Sequence, residues 1–363
     1  MRVVTFGEIM LRLMPLGGQR WRQSLPGELS ATYGGAEANV AVSIALQGGQ
    51  AAYCTAVPDN IVTDGLVQEL RKYGVDTDLL IRTKEGRFGI YFVEPDSNQR
   101  GSNVTYDRAG SSISIAPPET YDWNRILDDA GWFHVTGITP AIGSASAAAA
   151  IAGAKAARAK GMPVSCDLNY RKKLWNWESG TSPATLARRV MGELLQSVTV
   201  LIANEEDAEQ VLGIHAPGSN VEAGTIDLDG YAWTAREIVR QFPHIEKVAI
   251  TLRESFSANH NNWGALLYDA ATDAVHVAPT DEAGKYTPYE MHNIVDRVGA
   301  GDSFGGALIF ACTTPELSDP QTALRYAVAA SCLKHGLYGD FNLCSRSEIE
   351  TLMQGSGTGR VQR

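Results

Sequence analysis

A glycine-rich turn late in the chain carries the residues whose types and spacing best suit catalysis. Gly299, Ala300 and Gly301 end a short apolar run, and Asp302 stands in the first turn of an apolar helical pattern that follows. Small residues let backbone N–H groups approach an anion, and a helix N-terminus adds partial positive charge. A carboxylate would weaken a turn that only holds phosphate, but it can take a proton from an attacking hydroxyl. The pattern therefore favours phosphoryl transfer.

A second glycine pair lies near the N-terminus. Gly34 and Gly35 end an extended segment and lead into an Ala-rich helical pattern that carries Asn39 in its first turns. One interpretation is a helix start whose glycines allow close packing. The other is a backbone surface for polyol hydroxyls, with Asn39 as a hydrogen-bonding side chain.

The late turn differs from two common nucleotide fingerprints. A dinucleotide GxGxxG normally follows the first strand of the fold, with an acid about 20 residues later. Here the spacing from Gly299 is GxGxxxG, the turn comes late, and the acid lies inside it. No GxxxxGK[ST] occurs either. An NAD-dependent oxidoreductase therefore remains only an alternative, which nicotinamide absorbance would test.

The elements that must position these turns alternate between short β-rich runs and longer helical patterns. Strands are predicted at 2–6, 51–55, 132–136, 163–167, 198–202 and 247–251, and helices at 36–47, 61–73, 144–160, 185–196 and 207–212. This order predicts an α/β fold with a mainly parallel sheet flanked by helices on both faces. Such sheets bind ligands beyond the carboxyl ends of their strands.

Two segments break the alternation, at residues 10–33 and 87–108, where turn signals and β-hairpin patterns replace helices. We expect a small β-rich lid over the strand ends; an extra edge hairpin on the main sheet is the alternative. The predicted domains are a main α/β domain (1–10, 34–86 and 112–363) and a lid (11–33 and 87–111). Exposed sheet edges often pair, so a homo-oligomer is expected.

Composition excludes several classes of function. The formal net charge of −10 over 363 residues argues against nucleic-acid binding and requires local Arg or Lys for an anionic substrate. We find neither a signal-peptide pattern nor an apolar run of membrane-spanning length. The five cysteines are widely spaced and contain no CxxC pair, which indicates reduced thiols and a cytoplasmic protein.

The two glycine motifs together, with a β-rich insertion between them, resemble the ribokinase-like (PfkB) carbohydrate kinase family over nearly the whole chain. Runs at 34–41, 106–111, 137–139, 167–175 and 204–208 resemble one branch, the 2-keto-3-deoxygluconate kinases. The resemblance implies ATP and Mg²⁺ as cofactors and transfer of the γ-phosphoryl group to the terminal O6 hydroxyl of that sugar acid. Asp302 would be the base, and Gly299, Ala300 and Gly301 would offer backbone N–H groups.

The predicted sugar site also follows from charge. A sugar acid needs cations, and an Arg fork matches a carboxylate with two parallel hydrogen bonds. The chain places Arg108 and Arg171 after Tyr-containing runs. The full predicted substrate-binding set is Gly34, Gly35, Asn39, Tyr91, Tyr106, Arg108 and Arg171. The alternatives are a kinase for a neutral sugar, fructose or ribose, and a non-catalytic sugar-binding protein on the same fold.

On the nucleotide side, the resemblance implies a role for Asn204, Thr251, Arg253 and Gly301, and it places Asp207 near the magnesium ion. Asp207 stands where the family has Glu, so we expect it to act on the metal indirectly; plain helix capping is the alternative. Arg253 replaces a glycine, and Arg297 replaces a small hydroxyl residue. Arg297 is expected either to pair with nucleotide phosphates or to be solvated.

Overall fold

The computed structural model of the protein describes residues 1–215 and 226–355. Its strands are β1 (Arg2–Phe6), β2 (Met10–Pro15), β3 (Leu29–Gly34), β4 (Gln50–Pro58), β5 (Leu80–Thr83), β6 (Gly89–Glu94), β7 (Asn103–Asp107), β8 (Trp132–Thr136), β9 (Val164–Asp167), β10 (Val200–Ala203), β11 (Lys247–Ser255), β12 (His260–Asp269), β13 (Ala274–Ala278) and β14 (Tyr289–His292).

The α-helices are α1 (Trp21–Ser24), α2 (Ala36–Leu46), α3 (Ile61–Lys72), α4 (Ser112–Ile115), α5 (Trp123–Ile126), α6 (Ile138–Ala141), α7 (Ser144–Ala159), α8 (Pro183–Leu195), α9 (Glu205–Asp207), α10 (Leu228–Gln241), α11 (Ala300–Cys312), α12 (Pro320–Lys334) and α13 (Arg346–Met353). The single helix predicted at 207–212 is instead α9 followed by a wider π-helical turn at Ala208–Leu212. In the described residues, no helix is both long and apolar enough to cross a membrane.

The large sheet has the strand order β13-β12-β11-β10-β9-β8-β1-β4-β5, and β14 also pairs with β12. All pairs from β11 to β5 are parallel, whereas β12 pairs antiparallel with β11, β13 and β14. Successive residues of a strand belong to hydrophobic cores on opposite faces of the sheet. Val4 lies in the core that contains residues of α7 and α8, and Val3 lies in the core that contains residues of α2 and α11. Helices therefore cover both faces, and the predicted α/β fold is confirmed.

A separate small sheet has the order β3-β2-β6-β7. Met10, Tyr91 and Val93 form its own apolar cluster. The β-rich segments thus form an independent sheet rather than an extra edge hairpin of the large one. The exact division of the chain into a main domain and a lid stays a prediction.

Two helix starts are brought together by close packing of α2 against α11. A Cβ atom at Gly306 would lie 2.8 Å from the Cβ of Ser43, so only glycine permits this helix separation. Both helices begin at the edge of the large sheet where the parallel strands end. The two glycine motifs, more than 250 residues apart in sequence, consequently face the same space.

Candidate active site

A cleft of about 610 Å³ lies between the carboxyl ends of the large sheet's strands and the small sheet. Every residue predicted to bind or catalyse lines it: Gly34, Gly35, Asn39, Tyr91, Tyr106, Arg108, Arg171, Asn204, Asp207, Thr251, Arg253, Gly299, Ala300, Gly301 and Asp302. The structure therefore brings the predicted residues together; the role of each remains a prediction.

The Asp302 carboxylate lies in the first turn of α11, partly accessible from the cleft. The Asn39 side-chain Nδ2 donates to its Oδ2 at 2.6 Å, and the Asn39 Oδ1 in turn accepts from the backbone N–H of Gly35 at 3.3 Å. Burial raises the pKa of Asp302 to about 6, although the Asn39 hydrogen bond opposes this rise. Asp302 is therefore ionised at neutral pH yet basic enough to accept a proton.

The turn before α11 leaves backbone donors free. Gly299 has φ of 86°, and a Cβ there would lie 2.0 Å from the Asp340 carbonyl oxygen, so glycine is required. The N–H of Ser303 donates to the Gly299 carbonyl at 2.8 Å. Of the three expected donors, the N–H of Ala300 is already used, because it donates to the Arg297 carbonyl at 3.3 Å. In the described part of the chain, the N–H groups of Gly299, Gly301 and Asp302 have no acceptor. With the helix dipole, such free amides suit the binding of an anion.

Arg108 forms an ion pair with a carboxylate that the sequence analysis missed, Glu8. Both side chains are buried, and the Arg108 Nη2 donates to the Glu8 Oε2. The Arg108 Nε and the Glu8 Oε1 are buried in the cleft wall without a hydrogen-bond partner. One unsatisfied donor thus lies next to one unsatisfied acceptor, which suits a ligand carrying both an acid oxygen and a hydroxyl.

Asp340 is a second carboxylate that the motifs did not predict. Its Oδ1 accepts from the Arg12 Nη1 at 2.7 Å, and its Oδ2 lies 3.4 Å from the Asn39 Nδ2. A Cβ at Gly34 would lie 2.2 Å from the Tyr91 hydroxyl and 2.4 Å from the Asp340 Oδ2. Gly34 is therefore necessary for these two polar groups to meet at the cleft wall.

Arg12 holds Asp340 in place and also ties the small sheet to the turn before α11. Its Nη2 donates to the Asp296 Oδ2 at 2.5 Å, and the Asp296 Oδ1 accepts the N–H of Val298 at 3.1 Å. Arg12 is 1% exposed, and its two carboxylate partners outweigh burial and raise its pKa.

Both carboxylate oxygens of Asp207 already accept hydrogen bonds from backbone N–H groups. Its Oδ1 accepts the N–H of Tyr170 at 3.0 Å, and its Oδ2 accepts the N–H of Asn204 at 3.4 Å. Burial raises the pKa of Asp207 to about 6. Burial, together with the nearby Asp207 and Asp302, raises the pKa of Asp167 well above its usual value. Asp207 thus connects two loops at the cleft, a geometry that suits an indirect role better than direct metal binding.

Arg297 is not simply solvated, which was one of the two states expected for it, and its pairing with nucleotide phosphates stays a prediction. Its guanidinium donates to the carbonyls of Ser257 and Ala258, and its Nε lies 3.2 Å from the Asp96 carboxylate in the β6–β7 hairpin. The same hairpin contacts this loop through Asn98, whose carbonyl accepts the N–H of Ala258 at 2.7 Å. Arg297 therefore joins the small sheet to the β11–β12 loop.

A model of one protein family matches residues 1–342, and it is described as the pfkB family of carbohydrate kinases. The chain belongs to this family. The resemblance inferred from the two glycine motifs is confirmed, as is the enzyme class of carbohydrate kinase.

Two relatives of this pfkB kinase are similar over almost the whole chain. The 2-dehydro-3-deoxygalactonokinase of Haloferax volcanii is 32% identical over 359 residues, covering 98% of each chain. The crystal structure of 2-dehydro-3-deoxygluconokinase from Thermotoga maritima has a TM-score of 0.87 at 45% identity, covering 98% of this chain and 100% of that one. A putative Ribokinase II from E. coli in complex with ATP and Mg²⁺ shares the fold, with a TM-score of 0.73, 22% identity and coverage of 98% and 99%.

Proposed function

We propose that the protein transfers the γ-phosphoryl group of ATP to the O6 hydroxyl of 2-keto-3-deoxygluconate, also called 2-dehydro-3-deoxygluconate. The observation that carries this proposal is the Asp302 carboxylate, held at 2.6 Å by Asn39 beside the free N–H groups of the α11 turn. The names of the Haloferax and Thermotoga relatives support a sugar acid of this class.

In this mechanism Asp302 accepts the proton of the attacking O6 hydroxyl as the bond from O6 to the γ-phosphorus forms. The bond from that phosphorus to the β,γ-bridging oxygen breaks, and ADP leaves. Because the pKa of Asp302 is about 6, the carboxylate is ionised above that pH. The free N–H groups of Gly301 and Asp302 stabilise the equatorial phosphoryl oxygens, an effect of about 3 kcal/mol per well-placed donor. Mg²⁺ bound together with ATP would supply positive charge that neutralises the β- and γ-phosphates.

The nucleotide would lie against Asn204, Thr251 and Arg253, which line the same cleft. Arg253 supplies positive charge where a glycine would supply none. Both carboxylate oxygens of Asp207 accept backbone N–H groups, so Asp207 would position the Asn204 loop rather than ligate Mg²⁺.

The sugar acid's carboxylate would bind Arg108 and Arg171. In a chain of net charge −10, four arginines line this one cleft, and Arg108 and Arg171 are the two that the sequence analysis placed on the sugar side. The free Nε of Arg108 can donate to a carboxylate oxygen, and the free Oε1 of Glu8 can accept from a neighbouring hydroxyl. Tyr91, Tyr106 and the Asp340 carboxylate would contact the remaining hydroxyls.

A panel of sugars with an ADP-release readout tests the proposal. We expect turnover with 2-keto-3-deoxygluconate to exceed that with fructose and ribose, because only the acid satisfies Arg108. The galactonate epimer belongs in the panel, since one relative is named for it. Preferred turnover of a neutral sugar would favour that alternative, and no ADP release with any sugar would favour a non-catalytic binding protein.

We further propose that the small sheet acts as a lid, with residues 11–33 and 87–111 closing over the substrate and excluding water. The edge strand β7 is largely exposed, which supports pairing in a homo-oligomer.

All five cysteines are free thiols, and a cytoplasmic location would supply both ATP and a reducing environment.

A further inference from the structure

Three side chains with metal-binding donors share one surface outside the cleft. His260 on β12 lies directly opposite His292 on β14 in the antiparallel register. Glu290 is two residues before His292, so it points to the same face of the strand pair. The intervening residues Asn261 and Met291 are buried on the opposite face.

The donor atoms of these side chains converge. The Nε2 atoms of His260 and of His292 each lie 3.1 Å from the Oε1 of Glu290. The two imidazole centroids are 4.2 Å apart, and one ligand atom from each residue lies within 4.8 Å of the others. A metal ion could therefore be bound with small side-chain rotations and no change in the backbone. Within residues 1–215 and 226–355, no other trio of such side chains converges in this way.

The surroundings favour a cation and hold the ligands in place. The ring of Phe256 packs on His260 with centroids 4.6 Å apart. On the same face, the Glu254 carboxylate accepts from the Asn262 amide at 2.8 Å and adds negative charge. The side chains of His260, His292 and Glu290 are 32%, 58% and 61% exposed, respectively, so water could complete the coordination of an ion.

We propose that His260, Glu290 and His292 form a binding site for a divalent transition-metal ion of the Zn²⁺, Ni²⁺ or Cu²⁺ type. Two imidazole nitrogens and one carboxylate suit these ions, whereas Mg²⁺ prefers oxygen ligands only. The site is thus chemically distinct from the magnesium that accompanies ATP.

Such an ion would cross-link β14 to β12 close in sequence to the glycine-rich turn at Gly299. Three residues separate His292 from Asp296, which Arg12 binds. The loop before His260 carries the carbonyls that accept from Arg297. Binding to the folded state stabilises it, so the melting temperature is expected to rise with metal concentration. The ligands do not touch the cleft, so catalysis itself does not require this ion.

Isothermal titration of the chelator-treated full-length protein with ZnCl₂, without nucleotide or Mg²⁺, tests the proposal. We expect one saturable site in the wild type and at least a tenfold loss of affinity in His260→Gln and in His292→Gln. In thermal unfolding, we expect the melting temperature to rise with Zn²⁺ in the wild type but not in these two variants. His215→Gln is the matched control, because His215 lies 3.2 Å from Glu209 but belongs to no such trio. It should bind as the wild type does.

A second measurement identifies the ligands directly. The electron paramagnetic resonance spectrum of bound Cu²⁺ should show two imidazole nitrogens in the wild type and one in His292→Gln. Circular dichroism verifies that each variant is folded. Absence of a saturable site in the wild type, or an isotherm unchanged in both histidine variants, would overturn the proposal. The second outcome would place the ion on the cysteines or the cleft carboxylates.

Discussion

Replacing Asn39 with Ala should move the pH dependence of catalysis toward higher pH. The Asn39 amide donates to the Asp302 Oδ2 at 2.6 Å, and this bond favours the ionised carboxylate. A hydrogen bond to a charged group contributes about 1.5–3 kcal/mol. Since one pKa unit corresponds to about 1.4 kcal/mol, its loss should raise the Asp302 pKa by about one to two units.

The assay is the pH profile of kcat from ADP release with saturating sugar acid. The wild type should reach half of its maximal rate near pH 6, because the pKa of Asp302 is about 6. In Asn39→Ala the midpoint should lie near pH 7–8, about one to two units higher. Asn262→Ala removes a comparable amide–carboxylate bond of 2.8 Å, to Glu254, outside the cleft, and should leave the midpoint unchanged. A lower rate in Asn39→Ala with an unshifted midpoint would refute this account of Asp302.

Three other substitutions test the remaining contacts. Arg108→Ala should lower kcat/KM for the sugar acid about tenfold to 100-fold, because a charge-assisted hydrogen bond is lost, but it should spare weak turnover of neutral sugars. Steady-state kinetics on both kinds of sugar measure this, and an equal loss for both would contradict it. Arg12→Met should reduce the free energy of unfolding by about 3–5 kcal/mol, because it leaves the buried Asp296 and Asp340 carboxylates unpaired; an unchanged urea midpoint would contradict it. Burial raises the pKa of Glu37 to about 7, so the folded protein holds this proton more tightly than the unfolded chain does. The free energy of unfolding of the wild type, relative to that of Glu37→Gln, should therefore fall as the pH rises from about 4.5 to 7. The same difference between the two proteins at pH 4.5 and at pH 7 would disprove the pKa shift.

Local motifs were sufficient to predict the glycine-rich turn at the start of α11. A helix start with small residues and one acid is specified by consecutive positions, so Gly299 and Asp302 could be placed without tertiary information. The same holds for Gly35, which immediately precedes α2. The alternation of strands and helices similarly predicted the parallel part of the sheet, because each βαβ unit is local in sequence.

The ion pairs at the cleft wall could not be predicted in this way. Arg12 pairs with Asp340 across 328 residues and with Asp296 across 284, and Glu8 pairs with Arg108 across 100. No spacing rule connects such positions, because the pairing depends on how the small sheet lies over the large one. Glu8 lies two residues after the end of the first strand, where parallel sheets bind ligands, and that position was the available signal.

Arg297 shows the limit of reasoning by substitution. Because it replaces a small hydroxyl residue, nucleotide phosphates or solvent were its expected partners. Its guanidinium instead contacts Asp96 in the β6–β7 hairpin and the carbonyls of Ser257 and Ala258, so it is not merely solvated, and a contact with phosphate stays a prediction. Both partners belong to loops whose paths are set by tertiary packing.

The most direct test of the proposed mechanism is the kcat of Asp302→Asn with ATP and 2-keto-3-deoxygluconate. Asn keeps the size of the side chain and removes its basicity, so kcat should fall by about 10²–10⁴-fold while sugar binding and the circular dichroism spectrum are retained. A folded Asp302→Asn protein that turns over at close to the wild-type rate would show that another group takes the proton, and the account of this cleft would be wrong.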